Sequence, residues 1–200
     1  MMTMTGTIQI KKIEKEIPYT GPELRPHYLL TQFQMKGDAL AAFEGPCRVE
    51  TGHLVDWEDR MVEDRIEAKR MVHFLGEFFG WTLAQGVLFQ RLFMAIVRDE
   101  IAAILARTNP GVAIRRDGDD LFIGEGNDAR KLSVSIVTAS PVSILLHAGI
   151  NIDPAGAPVP AIGLSELKVP ADQLVERVLS RAASELDSVK WACAKVRPVV

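Results

Sequence analysis

Residues 112–152 constrain the fold most. Apolar side chains alternate with polar ones at Val112 and Ile114, at Leu121 and Ile123, then at Leu132, Val134 and Ile136. That period of two lays one face of a strand on a core. Residues 143–152 add a fourth run, apolar with few breaks, which reads as a strand buried on both faces. Polar residues punctuate these strands in three places: Arg115 and Arg116 before Gly118-Asp119-Asp120, Arg130-Lys131 after a turn, and Gly149-Ile150-Asn151 near the end. Strands joined by tight turns bring the three clusters to one rim, which suits a small ligand carrying negative charge and hydrogen-bonding groups. The four strands are expected in one sheet, because their apolar faces demand a shared core.

The rest of the chain supplies helices and a second group of strands. Residues 82–107 carry Leu88, Leu92, Ile96 and Val97 at helical spacing and stop at Asn109-Pro110-Gly111. Pro170 opens another helix, with Leu174, Val178, Leu179, Ala182, Leu186 and Val189 on one face. Residues 8–17 read as an early strand ending at Pro18. Residues 39–44 and 47–55 read as adjacent strands around a Gly45-Pro46 turn. Asp56 is placed to cap a charged surface helix over residues 57–69. Residues 71–79 are apolar on nearly every side, so they form either a buried helix or a contact in a homodimer. The expected architecture is α+β: a mixed, largely antiparallel sheet flanked by helices, in a single domain over residues 1–200.

Composition narrows the function classes. The net charge is −3, from 23 basic and 26 acidic side chains without a long run of one sign. No nucleic-acid-binding surface is expected from such a balance. The most apolar long segment, residues 83–105, is broken by Gln85, Gln90, Arg91, Arg98, Asp99 and Glu100, so no membrane span is expected. The first residues lack the apolar core of a signal peptide, and a cytoplasmic location follows as an expectation. Cys47 and Cys193 lie far apart and outside any CxxC, and His27, His53, His73 and His147 have no paired spacing. No metal site is expected from them. Asp56, Asp59 and Glu63 share a helical face; a cation site and a solvated face that complements the helix dipole both fit that pattern.

Asp119-Asp120-Leu121, then Arg130-Lys131-Leu132, then His147-Ala148-Gly149-Ile150-Asn151 follow one another. Their order and chemistry are similar to the NDL, RKL and GIGIN segments of biotin protein ligases. Over the whole chain the sequence resembles domain-of-unknown-function family 366, related in fold to biotin and lipoate ligases. The residues carrying that resemblance are Leu24-Arg25-Pro26-His27-Tyr28, Val55-Asp56, Met71-Val72-His73, Ser140-Pro141-Val142-Ser143 and Gly163-Leu164. It implies a biotin/lipoate ligase-like catalytic domain of the class II aminoacyl-tRNA synthetase and biotin synthetase-like fold. The length leaves no room for the DNA-binding head or small barrel that such ligases often add.

Site expectations follow from both readings. The resemblance gives Lys131 the role of the ligase lysine that contacts the acid and its adenylate, where an ammonium meets developing negative charge. The other reading of Lys131 is a solvated lysine opening a strand. Of the two arginines, Arg116 stands where the ligases place a lysine and is expected to hold phosphate; the alternative is an exposed charge pair. Asp119 and Asp120 are expected ligand acceptors or plain turn residues. Arg25 and His27, on a loop, and Gly149 and Asn151, at the strand end, complete the expected ligand-binding set. His73 reads as a satisfied core histidine.

Two departures from the ligases bear on activity. The glycine- and arginine-rich loop that closes over the acyl adenylate has no counterpart among Leu24-Arg25-Pro26-His27-Tyr28, and Ser133-Val134 replaces the Ala-Gly that follows the ligase RKL. The leading expectation is a protein binding a small carboxylic acid or nucleotide-like ligand, with ATP and Mg²⁺ as cofactors if it activates the acid. A non-catalytic small-molecule binding protein and a structural homodimer are the competing readings.

Overall fold

The computed structural model describes residues 8–63 and 65–199. Five strands build the main sheet: β1 (Gln9–Lys12), β2 (Ala39–Val49), β3 (Ile66–Phe79), β7 (Ser133–Ala139) and β8 (Ser143–Asp153), in the order β1-β2-β3-β8-β7. Among the described strands only the β1–β2 pair is parallel, so the sheet is mixed and largely antiparallel, as expected. A second sheet of three short antiparallel strands, β4 (Ile114–Asp117), β5 (Asp120–Ile123) and β6 (Arg130–Lys131), stands beside it. The expectation of one sheet over residues 112–152 is therefore corrected. The chain passes from the small sheet to the large one at Leu132, whose side chain is fully buried.

Two long helices, α3 (Leu83–Thr108) and α5 (Ala171–Lys195), pack on one face of the main sheet. Three shorter ones are α1 (Tyr28–Phe33), α2 (Trp57–Met61) and α4 (Leu164–Leu167). Thr82 starts α3 with a full capping box: its hydroxyl accepts from Gln85 N and the Gln85 side chain accepts from Thr82 N. Two otherwise orphaned amides are satisfied by this exchange. Pro170 precedes α5, where a missing N–H costs nothing. Leu40, Val72, Phe74, Leu146 and Ile150 point from the sheet into this helix-covered core.

The other face of the same strands carries the odd-numbered residues Ala41, Phe43, Met71 and Leu75, packed with Tyr19, Tyr28, Leu29 and Leu54. Residues 71–78 are buried from both sides, which is why they show no amphipathic period. They form the central strand β3 rather than a helix, and their apolar surface is used up inside the chain, so it gives no basis for a subunit contact. Gly45 and Pro46 do not turn the chain either. They lie within β2, at the register shift between Gly45 and Cys47, and a Cβ on Gly45 would fall 2.0 Å from the Ile17 carbonyl oxygen. The bulge lets β2 bend past the incoming segment. Asp56 caps α2 by accepting from Glu58 N at 2.7 Å, but the helix stops at Met61, and residues 66–69 already belong to β3.

Candidate functional site

A cavity of about 250 Å³ opens on the face of the main sheet opposite α3 and α5. Its floor is Tyr19, Met71, Val134, Ile136 and His147; Asn151, Ser133 and Lys131 lie toward the strand switch. The wall across from them comes from Leu54, Asp56 and Asp59, and the loop around residues 158–161 closes one side.

Lys131 is fixed by its backbone. Its N–H donates to the Pro160 carbonyl at 2.9 Å, and its carbonyl accepts from Ile162 N at 3.0 Å and from the Asn151 side-chain amide at 3.3 Å. The ammonium meets the Asp120 carboxylate at 2.9 Å, with each side chain roughly one-third exposed (31% and 27%). The pairing of Phe122 with Lys131 sets this up, because it brings Asp120, two residues back on β5, to the side of Lys131. Burial raises the Asp120 pKa from its ordinary value against the pull of Lys131, and the charges of Asp119 and Asp59 add to the rise.

Asp119 faces the cavity but is already held. Its carboxylate accepts from Arg91 at 2.8 Å, from the Gln90 amide at 2.8 Å and from Ser135 Oγ at 3.0 Å. It therefore straps the β4–β5 hairpin to α3. Ser133 Oγ accepts from the Leu121 amide at 2.9 Å, so the hydroxyl ties the two sheets together.

Arg116, Arg25 and His27 lie elsewhere. Arg116 donates to the Gly118 carbonyl and its Nε is buried without a partner, away from the cavity lining. Adjacent Arg115 pairs with Asp117 at 2.9 Å and covers the Phe122 ring. Arg25 donates to the Pro22 carbonyl and lies over the Tyr28 ring. The His27 ring stacks on Phe79, and its amide donates to the buried Glu77 carboxylate at 2.9 Å. Gly149 sits between His147 and Asn151 on β8; a Cβ there would come within 2.7 Å of Met71 Cε, so the glycine makes room under the floor. Of the expected residues, Lys131, Asp119, Asp120 and Asn151 come together in the cavity lining.

Sequence reading missed the pairing of His147, in the floor, with the fully buried His73. His73 Nδ1 and His147 Nε2 are 3.1 Å apart, and His73 Nε2 is 3.3 Å from the Gly45 carbonyl oxygen. Tyr19 stacks on His147 with centroids 3.7 Å apart. Burial pushes the His73 pKa down to about 4 and the His147 pKa well below its ordinary value, so both rings are neutral. The signal was faint: two residues 74 apart in sequence meet only through the β3–β8 register. Tyr19, just past the expected end of the early strand at Pro18, had no signal.

The cavity lining is acidic. Among the described residues Asp56, Asp59, Glu67, Asp119 and Asp120 face it, against Arg65 and Lys131 as cations. Among the described residues no three His, Cys, Asp or Glu side chains converge as a metal site would require. No described helix is long and apolar enough to cross a membrane.

Comparison with known proteins places this geometry. The model of the family Domain of unknown function (DUF366) matches residues 8–197. An uncharacterized protein of Methanocaldococcus jannaschii is 27% identical over 203 residues, covering 98% of this chain and 87% of the relative. A solved protein of unknown function from Pyrococcus horikoshi is 33% identical, with a TM-score of 0.88 over 97% of this chain and all of that one (100%). More distant in sequence is the biotin protein ligase of Aquifex aeolicus in complex with biotin and ATP: TM-score 0.51, 14% identity, 90% of this chain and 72% of that one. The bi-partite lipoate protein ligase of Thermoplasma acidophilum gives 0.53 at 12% identity, over 88% of this chain and 82% of the other. These two likenesses show a shared fold.

Proposed function

The chain belongs to the family Domain of unknown function (DUF366), on a biotin and lipoate ligase-like scaffold, and from that premise we propose that it binds a small carboxylic acid, with Lys131 as the group that receives the carboxylate. The observation that carries the reading is the Lys131–Asp120 pair in the cavity lining. Its two side chains are partly exposed, and such a pair is worth about 0–1 kcal/mol. A charge-assisted bond from Lys131 to a ligand carboxylate is worth about 1.5–3 kcal/mol, so exchanging partners is favourable. Asp120, with its raised pKa, can take up a proton when the ammonium turns away from it, which removes the cost of a lone buried charge. The mostly apolar floor accommodates the rest of the acid.

A second reading, activation of that acid with ATP and Mg²⁺, is supported by the fold shared with a ligase solved with biotin and ATP. The cavity residues do not fit a bare triphosphate: five carboxylates oppose two cations, and Arg25 and Arg116 are engaged elsewhere. Residues 24–28 around Arg25 also lack the glycines that let backbone amides approach phosphate. Binding without turnover is therefore the reading the geometry favours. Acid-dependent exchange of pyrophosphate into ATP by the purified protein decides between them: acid binding by calorimetry without exchange is the expected result, and exchange would establish the ligase reading.

A further inference from the structure

One apolar stripe of α5 outruns the core it serves. Val175, Val178, Ala182, Leu186, Val189 and Cys193 recur every three or four residues and so share one face of the helix. Val175, Val178 and Ala182 are buried in the helix-covered core, and Leu186 packs against its edge. Beyond Leu186 the same stripe leaves the body of the chain: Val189 is 45% exposed, Cys193 is exposed, and Val196 at the end of the helix is 66% exposed. Every described residue from Val189 onward is exposed. Where the stripe emerges, a mainly apolar cleft of about 410 Å³ opens between it and the start of α3. Trp81, Leu88 and Leu92 line one side, Leu186 and Val189 the other, with Asp38 beside them. A ridge without a partner and a cleft without an occupant thus adjoin, and spacings of three and four residues are those of a seam that receives another helix.

We propose that a second copy of this chain covers both features: two α5 ends pack antiparallel about a two-fold axis, each lying along the other's stripe with its tip in the other's cleft. The direction follows from the body of the chain. Up to Ala182 the stripe is already covered by the core, so a helix running parallel would bring its earlier turns onto α3. An antiparallel helix arrives from outside and meets only the open part. Charge agrees with this direction, because residues 188–199 hold Lys190, Lys195 and Arg197 and no carboxylate. Parallel packing would set these cationic ends together, whereas antiparallel packing sets each at the base of the other, near Glu185 and Asp38. A two-fold contact is self-complementary, so ridge and cleft are filled twice and the assembly closes as a dimer. The surface lies on the helix-covered side of the main sheet, across from the cavity, and does not rest on acid binding.

Sedimentation velocity of the full chain across micromolar concentrations tests this, with Val189→Asp on the stripe and Leu88→Asp on the cleft wall. Both positions are exposed in a single copy, Leu88 at 70%, so both variants should keep the wild-type urea midpoint when dilute. The wild type should dimerise reversibly, and each variant should raise the dissociation constant at least about tenfold. Cys193 gives a second readout, because the other thiol, Cys47, is buried. Iodoacetamide should label Cys193 more slowly as the wild type associates, and at one rate throughout in the variants. A wild type that stays monomeric, a dimer indifferent to either substitution, or a Cys193 labelled equally fast at every concentration would overturn the proposal. Vesicles containing phosphatidylserine probe the other occupant that a cationic, apolar helix end could take. A chain that floats with them while remaining monomeric in solution would assign the face to a lipid surface and overturn the dimer.

Discussion

The Lys131 ammonium and the Asp120 carboxylate meet at 2.9 Å beside the point where the chain leaves the small sheet for the large one. Lys131 is the last residue of β6, Leu132 is buried between the sheets, and Ser133 is the first residue of β7. The ammonium is therefore anchored by two sheets through its backbone while its side chain stays free to change partners.

If the proposed acid takes Lys131 from Asp120, its binding is proton-coupled. When a ligand carboxylate takes Lys131, Asp120 loses the cation that pulls its pKa down, and the bound state holds more protons than the free one. Affinity for the acid should then rise as pH falls from neutral, down to the point where the ligand itself is protonated. Calorimetry in buffers of different ionisation enthalpy should report proton uptake. Zero uptake would show that Asp120 keeps its charge in the complex.

The buried histidines set a second pH dependence, of stability. The His73 pKa lies at about 4 in the folded chain against 6.5 when unperturbed. The unfolded state therefore binds the extra proton first, stability is full above 6.5, and it falls as pH drops toward 4. A shift of that size is worth about 3 kcal/mol, and His147 acts in the same direction. Urea midpoints should decline across this window; a flat profile would mean that the rings are not buried as a neutral pair.

Much of the fold was legible where one face of an element is buried and the other is wet. α3 and α5 showed helical periods and cap signals, and β5 and β7 showed alternation, because each presents a polar side to solvent. β3 was illegible for the opposite reason. With residues 71–78 covered on both sides, helix and strand give the same unbroken apolar run. The Gly45-Pro46 bulge looked like a turn since both use the same residues. In the site, Lys131, Asp120 and Asn151 were legible through their order along the strands. Tyr19, the contact of His147 with His73, and the Arg91 and Gln90 grip on Asp119 were not, because they depend on the register of β3 with β8 and on the packing of α3.

Packing of that helix gives a graded prediction. Phe93 is fully buried, edge-on to Phe74 with centroids 5.3 Å apart, and Phe93→Ala should cost about 3–5 kcal/mol. Leu92, next to it, is only partly buried against the same core. Leu92→Ala should fall below the roughly 2 kcal/mol that marks a buried leucine. Equal losses in chemical denaturation would contradict the assigned face of α3.

Gly45→Ala probes the bulge. The added Cβ would meet the Ile17 carbonyl oxygen at 2.0 Å, and backbone cannot swing aside as a side-chain end can. Destabilisation should reach or exceed the roughly 1–3 kcal/mol typical of overpacking. An unchanged denaturation midpoint would show that β1 and the segment after it do not lie where described.

Titration of carboxylic acids into the wild-type chain and into Lys131→Ala tests the central claim most directly. Calorimetry should show at least one small acid binding the wild type and binding Lys131→Ala about one to two decades more weakly, in line with a lost charge-assisted contact. The variant should keep its denaturation midpoint within about 1 kcal/mol, since the ion pair it lacks is partly exposed. Equal affinity in the two proteins would contradict the assignment of Lys131 as the carboxylate's partner.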